Sequence, residues 1–287
     1  MTAREWDWQG AGAALATMHG KEGVIAPLVE RFLGLRVAVV QGLNTDAFGT
    51  FSREIARRGS PRDAARAKVD AGLAHMPDLR IGLASEGSFG PHPQLPFCAI
   101  DREIVMLVDR ATELELVGQH ATPDTNFGHA VVTDVPAGLA FAAHAGFPSH
   151  GVIVLASCDD VPRPDIALEK DLDTEAALAA ALDRVISRAG AAFVETDMRA
   201  HRNPRRMRAI RRATIDLLRR ARSRCPACDR PGFAVTERCT GLPCRWCGAP
   251  TQGVQAEILA CAGCDCRTTR VVATEPADPA WCAECNP

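Results

Sequence analysis

Short apolar runs alternate with segments of helical periodicity through the first 220 residues. This alternation is typical of α/β proteins, in which helices cover a central sheet. The predicted strands comprise residues 13–19, 36–42, 80–85, 104–108, 114–118, 152–157 and 192–196. The pattern therefore predicts an α/β fold with a mixed or mostly parallel sheet and flanking helices.

Two helix starts are marked by a capping residue followed by proline. Ser60 precedes Pro61 and Asn203 precedes Pro204, and proline is well tolerated at the first helical position because no intrahelical N–H bond is lost there. Helices are therefore expected to begin at these prolines. Periodicity predicts further helices over residues 24–33 and 174–189. The Asp-rich segment 162–173, which contains two prolines, is predicted to be a surface loop.

Length and composition limit the class of protein. The chain has 287 residues, of which 47% are hydrophobic and 24% charged, so disordered and fibrous classes are excluded. We expect an α/β domain over residues 1–222 and a small module over residues 223–287. No apolar run is long enough to span a bilayer, and the N-terminus lacks a signal-peptide pattern, which predicts a cytoplasmic protein.

Cysteine is concentrated in the C-terminal module, which holds ten of the 12 cysteines. Eight of them form four Cys-x-x-Cys pairs: Cys225/Cys228, Cys244/Cys247, Cys261/Cys264 and Cys282/Cys285. Two thiolates separated by two residues can bind one tetrahedral metal, so the eight predict two structural zinc sites. A redox dithiol or an iron–sulfur site is the less favoured interpretation, because a redox motif normally occurs singly.

The gaps between successive pairs contain 15, 13 and 17 residues. Each gap has room for a short hairpin, which favours a zinc ribbon. Spacing does not determine which pairs share a metal, and sequential, nested and interleaved pairings all remain open. Cys239 and Cys266 are left outside the pairs and are interpreted as unligated thiols.

The first polar segment of the N-terminal region lies where a strand runs into a helix. It contains Thr17, His19 and Lys21. Backbone N–H groups at a helix start, together with a lysine, can bind an anion. The segment lacks the spacing of a P-loop, and an ordinary turn with a surface lysine is the alternative.

The next segment, residues 44–57, is dense in functional side chains. Asp46 and Glu54 are candidate catalytic carboxylates, whereas Thr50, Ser52 and Arg53 are candidate substrate contacts. Loops of this composition are often binding loops. Capping and turn chemistry is the alternative interpretation.

A third segment, residues 84–93, follows an apolar strand. Glu86 lies at the predicted carboxyl end of that strand, where open α/β sheets place their ligands. Ser85, Ser88 and His92 are candidate substrate contacts beside it. We expect Gly87 and Gly90 to permit unusual backbone angles.

The fourth segment joins a strand to a very basic helix. From Arg199 to Arg224 there are eleven arginines and one acidic residue, Asp216. Arginine binds phosphate bidentately, so Arg199 and Arg202 are candidate substrate contacts and the helix is a candidate nucleic-acid surface. A solvated arginine face is the alternative.

The strings ATMHGKE, DAFGTFSREIAR, ASEGSFGPHP, ETDMRAHRNPRRM, CPAC, LPCRWCGAPT and WCAECNP resemble an uncharacterised bacterial family, a domain of unknown function with a C-terminal zinc ribbon. That family supplies no activity.

A second resemblance is to the inosine/xanthosine triphosphate pyrophosphatases. It lies in Thr17 and Lys21, in Thr50, Phe51 and Glu54, and in Glu86 with the glycine and serine after it. It implies that Glu54 and Glu86 hold Mg²⁺, that Lys21 contacts phosphate and that water attacks a phosphoanhydride. The chain departs from that pattern by having His-Gly-Lys in the first turn.

Three functions follow from these features. The first is a metal-dependent hydrolase or transferase acting on a nucleotide-like phosphorylated substrate, with Lys21, Asp46, Glu54 and Glu86 as catalytic candidates. The second is a nucleic-acid-binding zinc-ribbon protein without catalysis. The third is an adaptor whose zinc ribbon docks a partner protein.

Overall fold

A computed structural model describes residues 6–48 and 59–286 of the chain. It divides them into two compact units. The N-terminal unit comprises residues 8–218, and the C-terminal unit comprises residues 219–286 with Trp6 and Asp7. Across the described residues, the search for a helix with the length and hydropathy of a membrane span found none.

The first sheet of the N-terminal unit has five strands in the order β2-β1-β3-β4-β5. Their bounds are β1 (Gly12–Ala16), β2 (Arg36–Val39), β3 (Ile81–Pro91), β4 (Ala99–Asp109) and β5 (Leu114–Thr122). Strand β1 runs parallel to β2 and β3, whereas β4 and β5 continue the sheet antiparallel. The predicted α/β fold with a mixed sheet is confirmed.

Two helices connect the parallel strands. Helix α1 (Glu22–Leu33) ends at Gly34, which adopts the left-handed conformation at φ 71°. Helix α2 (Pro61–His75) begins where the sequence predicts, because Ser60 and Asp63 form a reciprocal capping box. Small residues of α2 then pack on the sheet: a Cβ at Gly72 would press against Ala16. The close approach of α2 to the sheet places Lys68 beside Glu86 in the middle of β3.

The second sheet of this unit has the order β6-β9-β7-β8 and is antiparallel throughout. Its strands are β6 (His129–Val132), β7 (Val152–Cys158), β8 (Val161–Glu169) and β9 (Ala192–Thr196). Helices α3 (Val135–Ala145) and α4 (Glu175–Ala189) cover one face of it. Leu178, Leu182 and Val185 of α4 are buried in the resulting core.

The prediction of a surface loop over residues 162–173 is wrong for its first part, since β8 extends to Glu169. This strand is at the edge of its sheet and pairs only with β7. An edge strand tolerates Pro162 and Pro164, because a missing N–H on the open side costs no ladder bond. Strand β6 and helix α3 also lie outside the elements that the sequence predicts.

Helix α5 (Pro204–Arg222) returns the chain to the first sheet. The side-chain oxygen of Asn203 accepts a bond of 3.1 Å from the backbone N–H of Arg206, which caps the helix start as predicted. The buried side of α5 carries Ile210, Ala213 and Leu217. A Cβ at Gly118 of β5 would collide with the last two of these residues, so α5 packs closely against that strand.

The C-terminal unit contains a three-stranded antiparallel sheet in the order β10-β11-β12. Its strands are β10 (Ala234–Thr240), β11 (Val254–Ala260) and β12 (Arg267–Val271). Each gap between cysteine pairs thus contributes one strand to a shared sheet, where the sequence predicts a separate hairpin.

Candidate functional site

The eight paired cysteines form two tetrads in the C-terminal unit. In each tetrad all four Sγ atoms lie within 4.8 Å of one another. One tetrad comprises Cys225, Cys228, Cys261 and Cys264, and the other Cys244, Cys247, Cys282 and Cys285. Of the three pairings that spacing leaves open, the structure has the interleaved one.

The geometry of both tetrads fits zinc. In the first, the Sγ atoms of Cys225 and Cys264 are 3.6 Å apart, and in the second those of Cys244 and Cys285 are 3.8 Å apart. Thiolates about 2.3 Å from a tetrahedral zinc have an S–S edge of roughly 3.8 Å. All described cysteines are free thiols. Four thiolates leave no open coordination position, so these sites suit a structural ion.

The interleaving follows from the strand order. The knuckle of Cys225 precedes β10 and the knuckle of Cys261 joins β11 to β12, so both lie at one end of the sheet. The knuckle of Cys244 joins β10 to β11, and the chain reaches Cys282 after β12, at the other end. Because each antiparallel strand crosses the sheet once, successive pairs alternate between the two ends.

Apolar burial in this unit is sparse. Apart from prolines and cysteines, the buried apolar side chains among its described residues are Trp6, Ala221 and Phe233. Trp246 and Trp281, which flank the second tetrad, are 78% and 81% exposed. The module therefore depends on its cysteines for a core.

The cysteines outside the pairs have different surroundings. Cys239 lies on β10 opposite Ala256. Cys266 follows the third pair, and its backbone carbonyl accepts a bond of 3.0 Å from the N–H of Cys261. Neither belongs to a tetrad.

A buried polar cluster lies in the N-terminal unit where the carboxyl end of β1 adjoins the middle of β3. We call it the Lys21 cluster and define it as Lys21, Lys68, Glu86, Glu103 and Arg206. All five side chains are buried. They lie at the start of α1 and on α2, β3, β4 and α5. Each of five elements therefore contributes one residue to the cluster.

Two ion pairs form most of the Lys21 cluster. Lys68 on α2 is bonded to Glu86 on one face of the sheet. On the other face, Nε of Arg206 donates to Oε1 of Glu103 at 2.6 Å, and Nη1 of Arg206 donates to the carbonyl of Met198. Side chains this deeply buried are stable as ions only when paired, so each carboxylate is matched to one cation.

Gly87 makes room for the second pair. It lies opposite Glu103 in the ladder between β3 and β4, and a Cβ there would collide with the side chains of Glu103 and Arg206. We expect positive φ at Gly87 and Gly90 from the sequence, but both are ordinary residues of β3. The lack of a side chain, rather than an unusual backbone angle, explains Gly87.

Lys21 lies between the two pairs. It is the capping residue before α1, at φ −67°, and only 7% of it is exposed. Among residues 6–48 and 59–286, its amine has no ion-pair partner. Burial and the positive charges of Arg206 and Lys68 lower the pKa of Lys21 to about 7, although Glu103 and Glu86 oppose this shift. At neutral pH a large share of this amine is therefore uncharged.

Asp101 extends the cluster along β4. It is two residues before Glu103, on the same face of the strand, and is 1% exposed. The charge of Arg206 acts on both carboxylates. Burial and the charge of Glu103 raise the pKa of Asp101 to about 8, so this carboxyl holds a proton at neutral pH.

Thr17 and Ser85 belong to the same region. Thr17 follows Ala16, the last residue of β1, and Ser85 follows Ala84, the residue of β3 that pairs with Ala16; both are buried. Oγ of Ser85 has no hydrogen-bond partner in the described part of the chain. The sequence predicts Glu86 at the carboxyl end of its strand, but β3 continues to Pro91, so Ser85 and Glu86 lie in its middle.

Other predicted residues lie apart from this cluster. His19 stacks on His201 with ring centroids 4.8 Å apart. Ser88 is farther along β3, and Nδ1 of His92 accepts a bond from the N–H of Gln94 in the loop after that strand.

Arg199 and Arg202 form ion pairs with acids that follow β8 and β9 of the second sheet. Arg199 pairs with Asp197 at 2.6 Å and with Asp171 at 2.7 Å. Arg202 pairs with Asp173 at 2.6 Å. These contacts occupy both guanidinium groups, so a phosphate would have to compete for them.

The second polar segment is mostly outside the described residues. Thr50, Ser52, Arg53 and Glu54 lie there. Asp46 falls in a short 3-10 helix, Thr45–Phe48, and its side chain is not described. Their predicted roles stay predictions.

Sequence reasoning omits four residues of this region: Lys68, Asp101, Glu103 and Arg206. A local signal exists for the carboxylates, because Asp-x-Glu at the start of an apolar strand places two acids on one face. Arg206, the partner of Glu103, is 103 positions away along the chain. Local sequence therefore cannot predict this ion pair.

Comparison with known proteins adds a family but no activity. The family model described as Domain of unknown function (DUF6671) matches residues 72–287. The match includes Glu86, Glu103, Arg206 and both tetrads, whereas Lys21 and Lys68 precede it. No curated protein matches the chain significantly. The resemblance to an uncharacterised family is confirmed, and the resemblance to the pyrophosphatases stays a prediction.

Proposed function

The chain belongs to the DUF6671 family, whose description carries no activity, and from its own geometry we propose a function for each unit. The N-terminal unit is a hydrolase or transferase acting on a nucleotide-like phosphorylated substrate, whose phosphate contacts Lys21. The C-terminal module is held together by two structural zinc ions. The observation that carries the first proposal is a buried lysine amine without a carboxylate partner among the described residues.

Lys21 combines two features that favour an anion. It is the capping residue of α1, where backbone N–H groups and the helix dipole present positive charge. Its neighbours Lys68 and Arg206 are cations whose carboxylates are already bonded to them. A phosphate that reaches Lys21 would therefore meet positive charge without an uncompensated carboxylate beside it.

The predicted Mg²⁺ is part of this proposal. Glu86 is one of its two predicted ligands, and the other, Glu54, lies outside the described residues. Lys68 occupies Glu86, so Mg²⁺ would have to displace that amine. Among the described residues, groups of three or more metal-ligand side chains occur only as the two cysteine tetrads. A substrate phosphate would supply the further oxygen ligands that Mg²⁺ prefers.

The test is a thermal-shift series on the zinc-loaded full chain with nucleoside mono-, di- and triphosphates, with and without Mg²⁺. A ligand at 100 times its Kd stabilises the folded state by about 2.7 kcal/mol. We expect at least one nucleotide to raise the Tm, and the Lys21→Met variant to lose that shift relative to its own Tm without ligand.

Lys170→Met is the matched control, because Lys170 lies at the end of the edge strand β8, remote in the fold from β1. It should keep the full shift. The proposal fails if no nucleotide shifts the wild-type protein, or if Lys21→Met responds as the wild type does. If Mg²⁺ increases the nucleotide-induced rise in Tm, and Glu86→Gln abolishes that increase, the result supports a metal site at Glu86. If the rise in Tm is the same with and without Mg²⁺, the metal is not part of the function.

A second function, nucleic-acid binding, is favoured by one observation on α5. Arg208, Arg211 and Arg212 are exposed, and the ion pair of Arg208 with Asp124 is long, at 3.8 Å. Each phosphate neutralised contributes a slope of about 0.9 to the dependence of log affinity on log salt. Replacing the three by alanine should lower that slope by up to about 2.7. Wild-type protein that shows no binding to RNA or DNA at low salt would eliminate this function.

A further inference from the structure

Lysine is rare in this chain, and its placement is uneven. Of 33 basic residues besides histidine, only Lys21, Lys68 and Lys170 are lysines and 30 are arginines. Two of the three lysines are nevertheless buried together in the Lys21 cluster. The other buried cations among the described residues are arginines: Arg206 in the same cluster and Arg199 outside it.

The difference between the two side chains is chemical. A guanidinium keeps its proton in proteins, whereas a lysine amine can release its proton and become a nucleophile. If the cluster required only permanent positive charge, arginine would serve there as it does at Arg206. The use of lysine in a chain so rich in arginine therefore points to a proton that must be removable.

The surroundings of Lys21 favour its free amine. The side chain is buried, it lies at the positive end of α1, and Arg206 and Lys68 repel an ammonium group. Glu86 and Glu103 would favour the ammonium, but each is bonded to another cation. Desolvation together with a neighbouring cation is how proteins activate a lysine as a nucleophile.

We propose that Lys21 is a reactive amine that binds a phosphorylated aldehyde or ketone as an imine. This inference rests on the proposed phosphate site and goes beyond the nucleotide, since it adds phosphorylated carbonyl compounds as a second class of substrate. The lone pair of Nζ attacks the carbonyl carbon, and the π electrons move to oxygen. A proton passes from nitrogen to that oxygen to give a carbinolamine, which loses water and leaves a C=N bond. One amine and one carbonyl thus give one imine and one water.

Reductive trapping on the full chain tests this inference. The probe is glycolaldehyde phosphate with cyanoborohydride at pH 7, and the modified lysines are identified by peptide mass spectrometry. With three lysines in the chain, every product can be assigned. We expect Lys21 to be modified at least tenfold faster than Lys170, and excess inorganic phosphate to slow the modification of Lys21 alone.

Unphosphorylated glycolaldehyde is the matched probe. It should modify Lys21 at least tenfold more slowly than the phosphorylated form, because the phosphate delivers the carbonyl. Equal rates for the two aldehydes, equal rates at Lys21 and Lys170, or preferred modification of Lys68 would each overturn the inference.

Two variants separate this inference from the proposed function. Lys21→Arg cannot form an imine, so it should lose the trapped product at position 21. Lys21→Met should lose the nucleotide thermal shift together with the trapped product. Wild-type protein that shifts with nucleotides but gives no trapped product at Lys21 would overturn the imine alone. Trapping at Lys21 without any nucleotide shift would overturn the nucleotide substrate and leave the imine supported.

Discussion

The N-terminal and C-terminal units differ in what stabilises them. The N-terminal unit buries valine, leucine and isoleucine side chains around two sheets, and apolar burial contributes about 25 cal/mol per Å². The C-terminal unit buries few apolar side chains, and three of its cysteines are among its most buried residues. The apolar core of the N-terminal unit can therefore offset the cost of a buried polar cluster, whereas the C-terminal unit depends on its cysteines for a core.

This difference also separates their chemistry. Thiolates that complete a tetrahedron have no capacity left for a substrate. In the N-terminal unit, the apolar core supports Lys21 and Asp101, two titratable groups with pKa values of about 7 and 8. Perturbed groups of this kind are typical of functional sites. The difference favours a structural role for the cysteines and supports the reactive role that we propose for Lys21.

Metal removal should give the largest effect. Structural zinc contributes about 10–16 kcal/mol to small zinc-finger peptides, so chelation should unfold the C-terminal unit and leave the N-terminal unit folded. Hydrogen exchange read by mass spectrometry should show loss of protection over residues 219–286 and retention over residues 8–218. Retained protection of the C-terminal unit in metal-free protein would show that its core does not need the metal.

Paired cysteine substitutions sharpen the same point. Cys228→Ala with Cys261→Ala removes two ligands of one tetrad, so one tightly bound zinc per chain should remain. Cys228→Ala with Cys247→Ala damages both tetrads, and no tightly bound zinc should remain. Zinc content after competition with a chelator measures both. The reverse result would mean that the tetrads are paired sequentially.

Breaking a buried ion pair should have a smaller effect, in the N-terminal unit. Arg206→Met leaves Glu103 buried without its partner, which costs about 3–5 kcal/mol of unfolding free energy. Arg208→Met, on the exposed side of α5, is the control and should change stability by no more than about 0.5 kcal/mol. Adding Glu103→Leu to Arg206→Met should restore most of the loss. Urea unfolding provides the measurement, and a loss below about 1 kcal/mol for Arg206→Met contradicts the pairing.

The smallest effect concerns Asp101. The folded protein holds this proton up to about pH 8, whereas the ordinary pKa is 3.8. Between these values the folded state binds more protons than the unfolded chain, so the contribution of Asp101 to stability falls as pH rises. The slope is up to about 1.4 kcal/mol per pH unit. Asp101→Asn should flatten this fall in stability between about pH 4.5 and about pH 6, below the Lys21 midpoint near pH 7. If the unfolding free energy of Asp101→Asn depends on pH in the same way as that of the wild type, Asp101 does not hold the extra proton.

Local chemistry accounts for the parts of the fold that the sequence predicts. Ser60 with Pro61 and Asn203 with Pro204 determine helix starts within a few residues, and Cys-x-x-Cys spacing identifies metal-binding pairs. The pairing of the tetrads depends on the order of β10, β11 and β12, which no single pair encodes. Strand β8 is missed because its prolines resemble a loop until its edge position is known.

In the candidate site, too, some residues can be predicted from local sequence and others cannot. Lys21 is detectable because it lies between a strand and a helix, and Glu86 because it follows an apolar run, although its strand continues to Pro91. Glu103 and Arg206 can be recognised as a pair only in the folded structure, because they are 103 positions apart in the sequence. The shifted pKa of Lys21 has the same origin, since Arg206 and Lys68 reach it from different helices. Burial and long-range charge are properties of the fold and leave little trace in local pattern.

The most direct test of the account is an NMR titration of the full chain labelled at lysine Cε and Nζ. The three lysine signals can be assigned with Lys21→Arg, Lys68→Arg and Lys170→Arg. We predict that the Lys21 signal shifts with a midpoint near pH 7, because burial and two neighbouring cations disfavour its ammonium form. A Lys21 midpoint near the ordinary lysine value of about 10.4 would contradict the central claim that this buried amine is the reactive group of the N-terminal unit.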